Sequence, residues 1–158
     1  MRVIETSPDD TLTAELLRAY FAERVGGFTE GAYRVSAPDP AQFTPPGVFL
    51  RIDEDDGAPL ACGGLREIEP ADDGRRMEVK HLFVAPAARG SGIGRRLITR
   101  LEAHARSEGA AWLVLDTNRS LVAAAGLYAT SGFLPVPAFN DNPNATDWYA
   151  KRLVPSPA

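Results

Sequence analysis

Cysteine is nearly absent from this chain: Cys62 is the single one in 158 residues, so no internal disulfide can form. It lies in the apolar run Leu60-Ala-Cys-Gly-Gly-Leu65, which suits a small buried thiol better than a nucleophile. Histidine is almost as scarce, with only His81 and His104, and no catalytic dyad can be drawn around Cys62. Nothing clusters histidine, cysteine and carboxylate ligands, so no metal is expected. No run of eighteen apolar residues occurs, which argues against a membrane-spanning helix. A basic surplus is missing too: 17 Lys and Arg face 21 Asp and Glu, a net charge of −4, which argues against a nucleic-acid partner. The opening Met1-Arg-Val-Ile-Glu5 followed by Pro8-Asp-Asp10 has no apolar core of a leader peptide, and a cytoplasmic protein is expected. The size predicts one domain over residues 1–158, and 44% apolar residues can furnish its core.

What the chain does have is a sharp alternation of element signals. Arg2 to Thr6 reads as a short edge strand, and Ser7-Pro-Asp-Asp10 supplies turn and N-cap chemistry for a helix. That helix carries Leu12, Leu16, Leu17, Tyr20 and Phe21 as its apolar stripe and ends near Val25 at Gly26-Gly27. Periodicity then vanishes over residues 28–47, a loop long enough to be functional, and in an enzyme it could wall an acceptor pocket. Val48–Ile52 and Leu60–Glu67 read as an antiparallel hairpin across the acidic turn Asp53–Gly57, and Arg75–Val84 follows after Pro70–Gly74. A helix to about Gly109, the buried parallel strand Ala111–Asp116 and a helix over Leu121–Thr130 come next. Gly132 is placed to stop that helix as its C′ residue. An extended Phe133–Phe139, a loop over 140–146 and a last strand Asp147–Leu153 complete the chain. The expected fold class is therefore α/β (α+β), an antiparallel first half joined to βαβ crossovers in the second.

The chain is organised around residues 78–101. Glu78–Val84 is a strand that runs into Ala85-Pro86, and Ile93, Leu97, Ile98 and Leu101 are spaced for one face of a helix. Between them stand Gly90, Gly92 and Gly94. Glycines let backbone N–H groups reach an anion, and a helix N-terminus adds unpaired donors and the positive end of its dipole. A P-loop is excluded because no Lys-Ser or Lys-Thr follows. The dinucleotide fingerprint is excluded because the position requiring its third glycine holds Arg95, or Leu97 in the other frame. What remains is Arg-x-x-Gly-x-Gly at Arg89, Gly92 and Gly94, or a glycine-rich helix start with no ligand.

The stretch 78–101 resembles the acyl-CoA pyrophosphate motif of the GCN5-related N-acetyltransferases (GNAT family). Leu127-Tyr128-x-x-x-Gly132-Phe133 resembles the motif that follows it in that family. The resemblance covers about residues 60–153, with Asn140-Asp-Asn-Pro143 and Trp148-Tyr-Ala-Lys151 similar to one bacterial subgroup. It implies the GNAT acyl-CoA N-acyltransferase fold, a mixed central sheet of about six to seven strands flanked by helices. It also implies an acyltransferase that moves an acetyl group from acetyl-CoA directly to a primary amine, with a small-molecule acceptor expected. Backbone groups of Leu82, Phe83 and Val84 would hold the pantetheine arm in a splay between two strands. Arg89, Gly90, Ser91, Gly92, Ile93, Gly94 and Arg95 would hold the pyrophosphate. Tyr128 falls at the place of the family's frequent general acid, and Glu78 at that of a strand carboxylate that serves as base in several members. Two plainer roles stand beside these: Tyr128 as a core aromatic and Glu78 as an exposed strand-edge carboxylate. His81 alternates away from Glu78 on an ideal strand and reads first as a satisfied structural histidine, then as a second base. The family's CoA-contacting asparagine has no counterpart, since Leu121 occupies its place and Asn118 lies earlier. A non-catalytic acyl-CoA sensor of the same fold is the alternative, and whether the chain forms a homodimer is left open.

Overall fold

The computed structural model describes residues 1–28 and 31–153. The element order is β1 (Arg2–Thr6), α1 (Thr11–Gly27), β2 (Val48–Asp53), β3 (Pro59–Ala71), β4 (Gly74–Val84), α2 (Ile93–Ser107), β5 (Trp112–Thr117), α3 (Val122–Thr130), β6 (Leu134–Val136) and β7 (Asp147–Arg152). Short 3-10 turns occupy Pro40–Phe43 and Pro86–Ala88. Asp10 caps α1, its Oδ2 accepting from the Thr13 amide at 3.1 Å. The 28–47 segment is irregular apart from its 3-10 turn, and positions 29–30 lie outside the described residues.

The seven strands form one sheet in the order β1-β2-β3-β4-β5-β7-β6. Only β4 and β5 run parallel, joined by the α2 crossover. The second crossover differs from a simple βαβ repeat, because β7 slots antiparallel between β5 and β6. Pro135 lies in β6 and Pro137 directly follows it, and a strand that cannot offer a full ladder of N–H donors belongs at an edge.

Helix α2 covers one face of the sheet. Leu97, Leu101 and Ala105 are fully buried with Ile52, Ala61, Leu65, Met77 and Leu113. On the other face α1 packs Leu16 and Leu17 with Phe43, Phe49, Cys62 and Phe83. Gly63 and Gly64 in β3 let both layers approach. A Cβ at Gly63 would sit 3.1 Å from Leu82, and one at Gly64 would lie 2.4 Å from the Phe43 ring.

Two irregularities shape the site. Pairing of β4 with β5 stops at Glu78↔Val114, so the strands diverge and leave residues 79–84 with an open edge. Within β4 the register against β3 slips by one residue between Lys80↔Gly64 and Phe83↔Cys62, with His81 in the left-handed region at φ 56°. That bulge reverses the alternation. Met77 and Val79 belong to the α2-side core, yet the His81 ring sits among Tyr20, Phe21 and Phe43 on the α1 side.

Candidate active site

The divergence of β4 and β5 opens a cavity of about 810 Å³. Its lining runs from the glycine loop, Gly90, Gly92 and Gly94, along Leu82, Phe83 and Val84 to Tyr128 on α3, with Tyr33, Arg34 and Gln42 from the 28–47 loop opposite.

At the glycine end, α2 begins at Gly92, which is left-handed at φ 83° and offers no side-chain cap. Gly90 is also left-handed, at φ 80°. A Cβ at either would meet nothing within 4 Å, so the backbone faces open space. None of the N–H groups from Gly90 to Arg95 donates to a backbone or side-chain acceptor among the described residues; the first helical bond is Arg96 to Gly92. These unpaired donors at the positive end of a helix dipole fit a pyrophosphate. Gly94 is a different case: a Cβ there would lie 3.1 Å from Leu127, so this glycine also serves the close approach of α2 and α3. The Arg89 guanidinium bonds the Val84 carbonyl and pairs with Glu23 at 2.7 Å, while Arg95 bonds Thr130. Ser91 donates its hydroxyl to the Ala88 carbonyl.

Tyr128 lies at 6% exposure on the cavity wall. Burial pushes its phenol well above the ordinary value, with the Arg24 charge pulling the other way, so the hydroxyl is protonated and able to donate at neutral pH.

Glu78 is not an exposed strand-edge carboxylate. It is 1% exposed, because β4 is central in the sheet and Arg66 covers it, with Nε and an Nη 2.8 and 2.7 Å from Oε1. Arg66 is steadied in turn by the Gln42 side chain at 2.8 Å. Arg66 lines the cavity and Glu78, paired behind it, does not. His81 departs from expectation in the opposite sense. It lines the cavity, its buried Nδ1 has no partner, and burial with the nearby charges of Lys80 and Arg66 lowers it to about 4. The ring is therefore neutral at physiological pH and unsatisfied. Cys62 is fully buried and its thiol is pushed up to about 12, which removes it as a nucleophile.

An asparagine network shores up the far wall. Asp116, on the open edge of β5, accepts from the amides of Asn140 and Asn142 at 2.7 and 3.1 Å. Asn144 exchanges two bonds with the Arg34 backbone and so ties the 28–47 loop to the loop before β7. Asn118 accepts from the Ser120 amide and donates to the Asn144 carbonyl, a turn-holding role. The alternating Asn140-x-Asn-x-Asn144 was a signal for stacked Asx turns, since Asn142 and Asn144 each donate their amide to the asparagine two residues earlier.

A sheet split between its parallel strands, with a glycine-capped helix at the mouth of the split, defines the acyl-CoA N-acyltransferase fold. The chain belongs to the acetyltransferase (GNAT) family, whose model matches residues 13–133. Among curated relatives, an IAA acetyltransferase from Azospirillum brasilense is 36% identical over 88 residues, which is 56% of this chain and 56% of that protein. The match thus spans about half the length of that relative. Among solved structures, a GNAT-family acetyltransferase from Staphylococcus aureus Mu50 superposes with a TM-score of 0.77 at 16% identity, covering 97% of this chain and 100% of that one. An aminoglycoside 6′-N-acetyltransferase in complex with coenzyme A gives 0.70 at 18% identity, with both chains fully covered. At such identities these two likenesses speak to the fold alone. No helix among the described residues is long and apolar enough to cross a membrane, and no group of three or more metal-ligating side chains occurs among them.

Proposed function

We propose that this protein is an acetyl-CoA-dependent N-acetyltransferase acting on a primary amine of a small molecule by direct transfer. The observation that carries this is the shared cavity: unpaired N–H groups at its glycine end, an open β4 edge along its side and a protonated, buried phenol on its wall. Acetyl-CoA supplies the activated acyl group as a thioester. In the transfer, the amine nitrogen forms a bond to the carbonyl carbon, the carbon–sulfur bond breaks, the nitrogen loses one proton and the sulfur gains one.

The chain's own residues divide this work. Gly90 to Arg95 bind the pyrophosphate through main-chain donors, and the β4 edge at Leu82, Phe83 and Val84, left unpaired by β5, takes the pantetheine arm as an added strand. Tyr128 hands a proton to the departing sulfur. Of the two base candidates, His81 lines the cavity with an unpaired Nδ1 but is a weak base at its lowered pKa, and Glu78 would need a water chain past Arg66. The small-molecule acceptor is supported by the loop residues Tyr33, Arg34 and Gln42 that wall the cavity, tied to the opposite side through Arg34 and Asn144.

The test is a melting-temperature titration with acetyl-CoA, CoA, ATP and NAD, followed by CoA release from acetyl-CoA in the presence of amines. Stabilisation by the two CoA species alone, about 2.7 kcal/mol at a hundred times Kd, and amine-dependent CoA release are expected. Binding without release, indifferent to Tyr128→Phe, would instead make the protein an acyl-CoA sensor.

A further inference from the structure

Arg24 occupies the last turn of α1, where a cation complements the carbonyl end of the helix dipole. It is nevertheless 8% exposed and lines the cavity. Four of the wall cations are matched: Arg66 by Glu78, Arg89 by Glu23, Lys80 by Asp116 at 3.8 Å, and Arg95 by the carbonyl and hydroxyl of Thr130. Arg24 is not. No carboxylate among the described residues pairs with it, and its Nε is buried without a hydrogen-bond partner. Its organised contact is the Tyr33 ring, whose centroid lies 5.1 Å from the guanidinium carbon. A desolvated charge with no counter-ion is expensive, and an unsatisfied buried donor in a cavity wall calls for a ligand that completes it.

Its position says which ligand. Glu23 and Arg24 are consecutive on a helix and diverge by about 100°; Glu23 turns to Arg89 of the glycine loop, whereas Arg24 turns to Tyr33. Tyr20, Arg24 and Tyr128 line the same cavity, and the Arg24 charge is felt at both phenols, so the guanidinium shares a wall with the proton donor of the transfer.

We propose that Arg24 is the anion-reading residue of the acceptor subsite, and that the amine acetylated here carries a carboxylate or phosphate in the same small molecule. This rests on the acetyl-transfer reading and narrows its acceptor. A guanidinium presents a planar fork of donors that takes either anion with two parallel bonds. The acceptor's anion supplies a partner that the described residues do not, and its amine end is left facing Tyr128 and His81. A purely cationic amine meets an uncompensated guanidinium and is disfavoured.

The test uses the full chain and measures amine-dependent CoA release from acetyl-CoA. The amines are α-, β- and γ-amino acids, each against its carboxamide, and O-phosphoethanolamine against ethanolamine. The anionic member of a pair is expected to show a kcat/KM on the order of ten- to a hundred-fold higher, and the pair that shows it identifies carboxylate or phosphate. Arg24→Met should erase that preference, leave acetyl-CoA affinity by calorimetry unchanged, and melt at the same or a higher temperature, because it removes an unpaired buried charge. CoA release with no preference within any pair overturns the anion subsite and leaves acetyl transfer standing. An Arg24→Met protein with acetyl-CoA affinity lowered tenfold or more and its acceptor preference intact assigns Arg24 to the CoA side and overturns it too. Acetyl-CoA binding with no CoA release for any amine overturns the parent reading, and the proposal falls with it.

Discussion

His81 makes stability depend on acid in a way that can be worked out beforehand. Its ring is packed against Tyr20, Phe21 and Phe43, and burial first, then the charges of Lys80 and Arg66, lowers its pKa from 6.5 to about 4, with Asp116 opposing. The folded state therefore binds fewer protons than the unfolded chain between those two values, and falling pH favours unfolding. The stability present above pH 6.5 is lost as the pH falls through 4 and levels off below that. Linkage between the two values gives a loss of about 1 kcal/mol at pH 6, about 2 at pH 5 and about 3 at pH 4, relative to pH 7. His81→Asn removes the titrating ring while keeping a residue that tolerates the left-handed backbone at φ 56°. Urea unfolding of both proteins at matched pH values isolates this contribution, since the other titrating groups largely cancel in the difference. The wild-type protein should lose stability relative to the variant by that schedule. Parallel curves from pH 7 to 4, or a wild type that gains on the variant, would refute the buried neutral histidine.

Gly92→Asp should cut acetyl-CoA affinity tenfold or more by calorimetry, since it places a β-carbon at φ 83° and a carboxylate before the unpaired donors; wild-type affinity would remove the loop from the CoA site. Gly92 is the better probe than Gly94, whose substitution also drives into Leu127. Tyr128→Phe should lower kcat by about a hundred-fold or more with little change in acetyl-CoA Kd, and an unchanged kcat would end its role as acid. Gly64→Ala should destabilise the fold by about 1–3 kcal/mol in denaturant titration, because its methyl would meet the Phe43 and Phe49 rings at 2.4–2.8 Å; a neutral substitution would mean those rings swing freely.

The parts of this molecule legible in the sequence are those that local chemistry dictates. Asp10 caps α1 because an Asx side chain before an apolar stripe has few better uses, and Gly92 starts α2 because a left-handed residue was needed there. The Glu78–Val84 strand, the helix behind it and the parallel strand after it follow from hydrophobic periodicity alone. What stayed hidden depends on contacts between distant segments. Strict alternation sends His81 to the face away from Glu78, and a bulge set by pairing with β3 brings the ring to the α1 side. Glu78 looks like a free carboxylate until Arg66 of β3 is folded over it, and β7 enters the sheet between β5 and β6 through a long-range pairing that adjacency in sequence does not suggest. Arg24 shows the limit most clearly. In sequence it is an ordinary basic residue ending an amphipathic helix, a place that usually means solvent. Only when Tyr33 is laid over it, and Arg66, Arg89, Lys80 and Arg95 are seen to have partners, does its unpartnered Nε become a property of the site. In the reading proposed here, then, the device for holding the donor is built from consecutive backbone groups and can be read as a motif. The device proposed for choosing the acceptor is assembled from α1, a loop and α3, and becomes visible only in three dimensions.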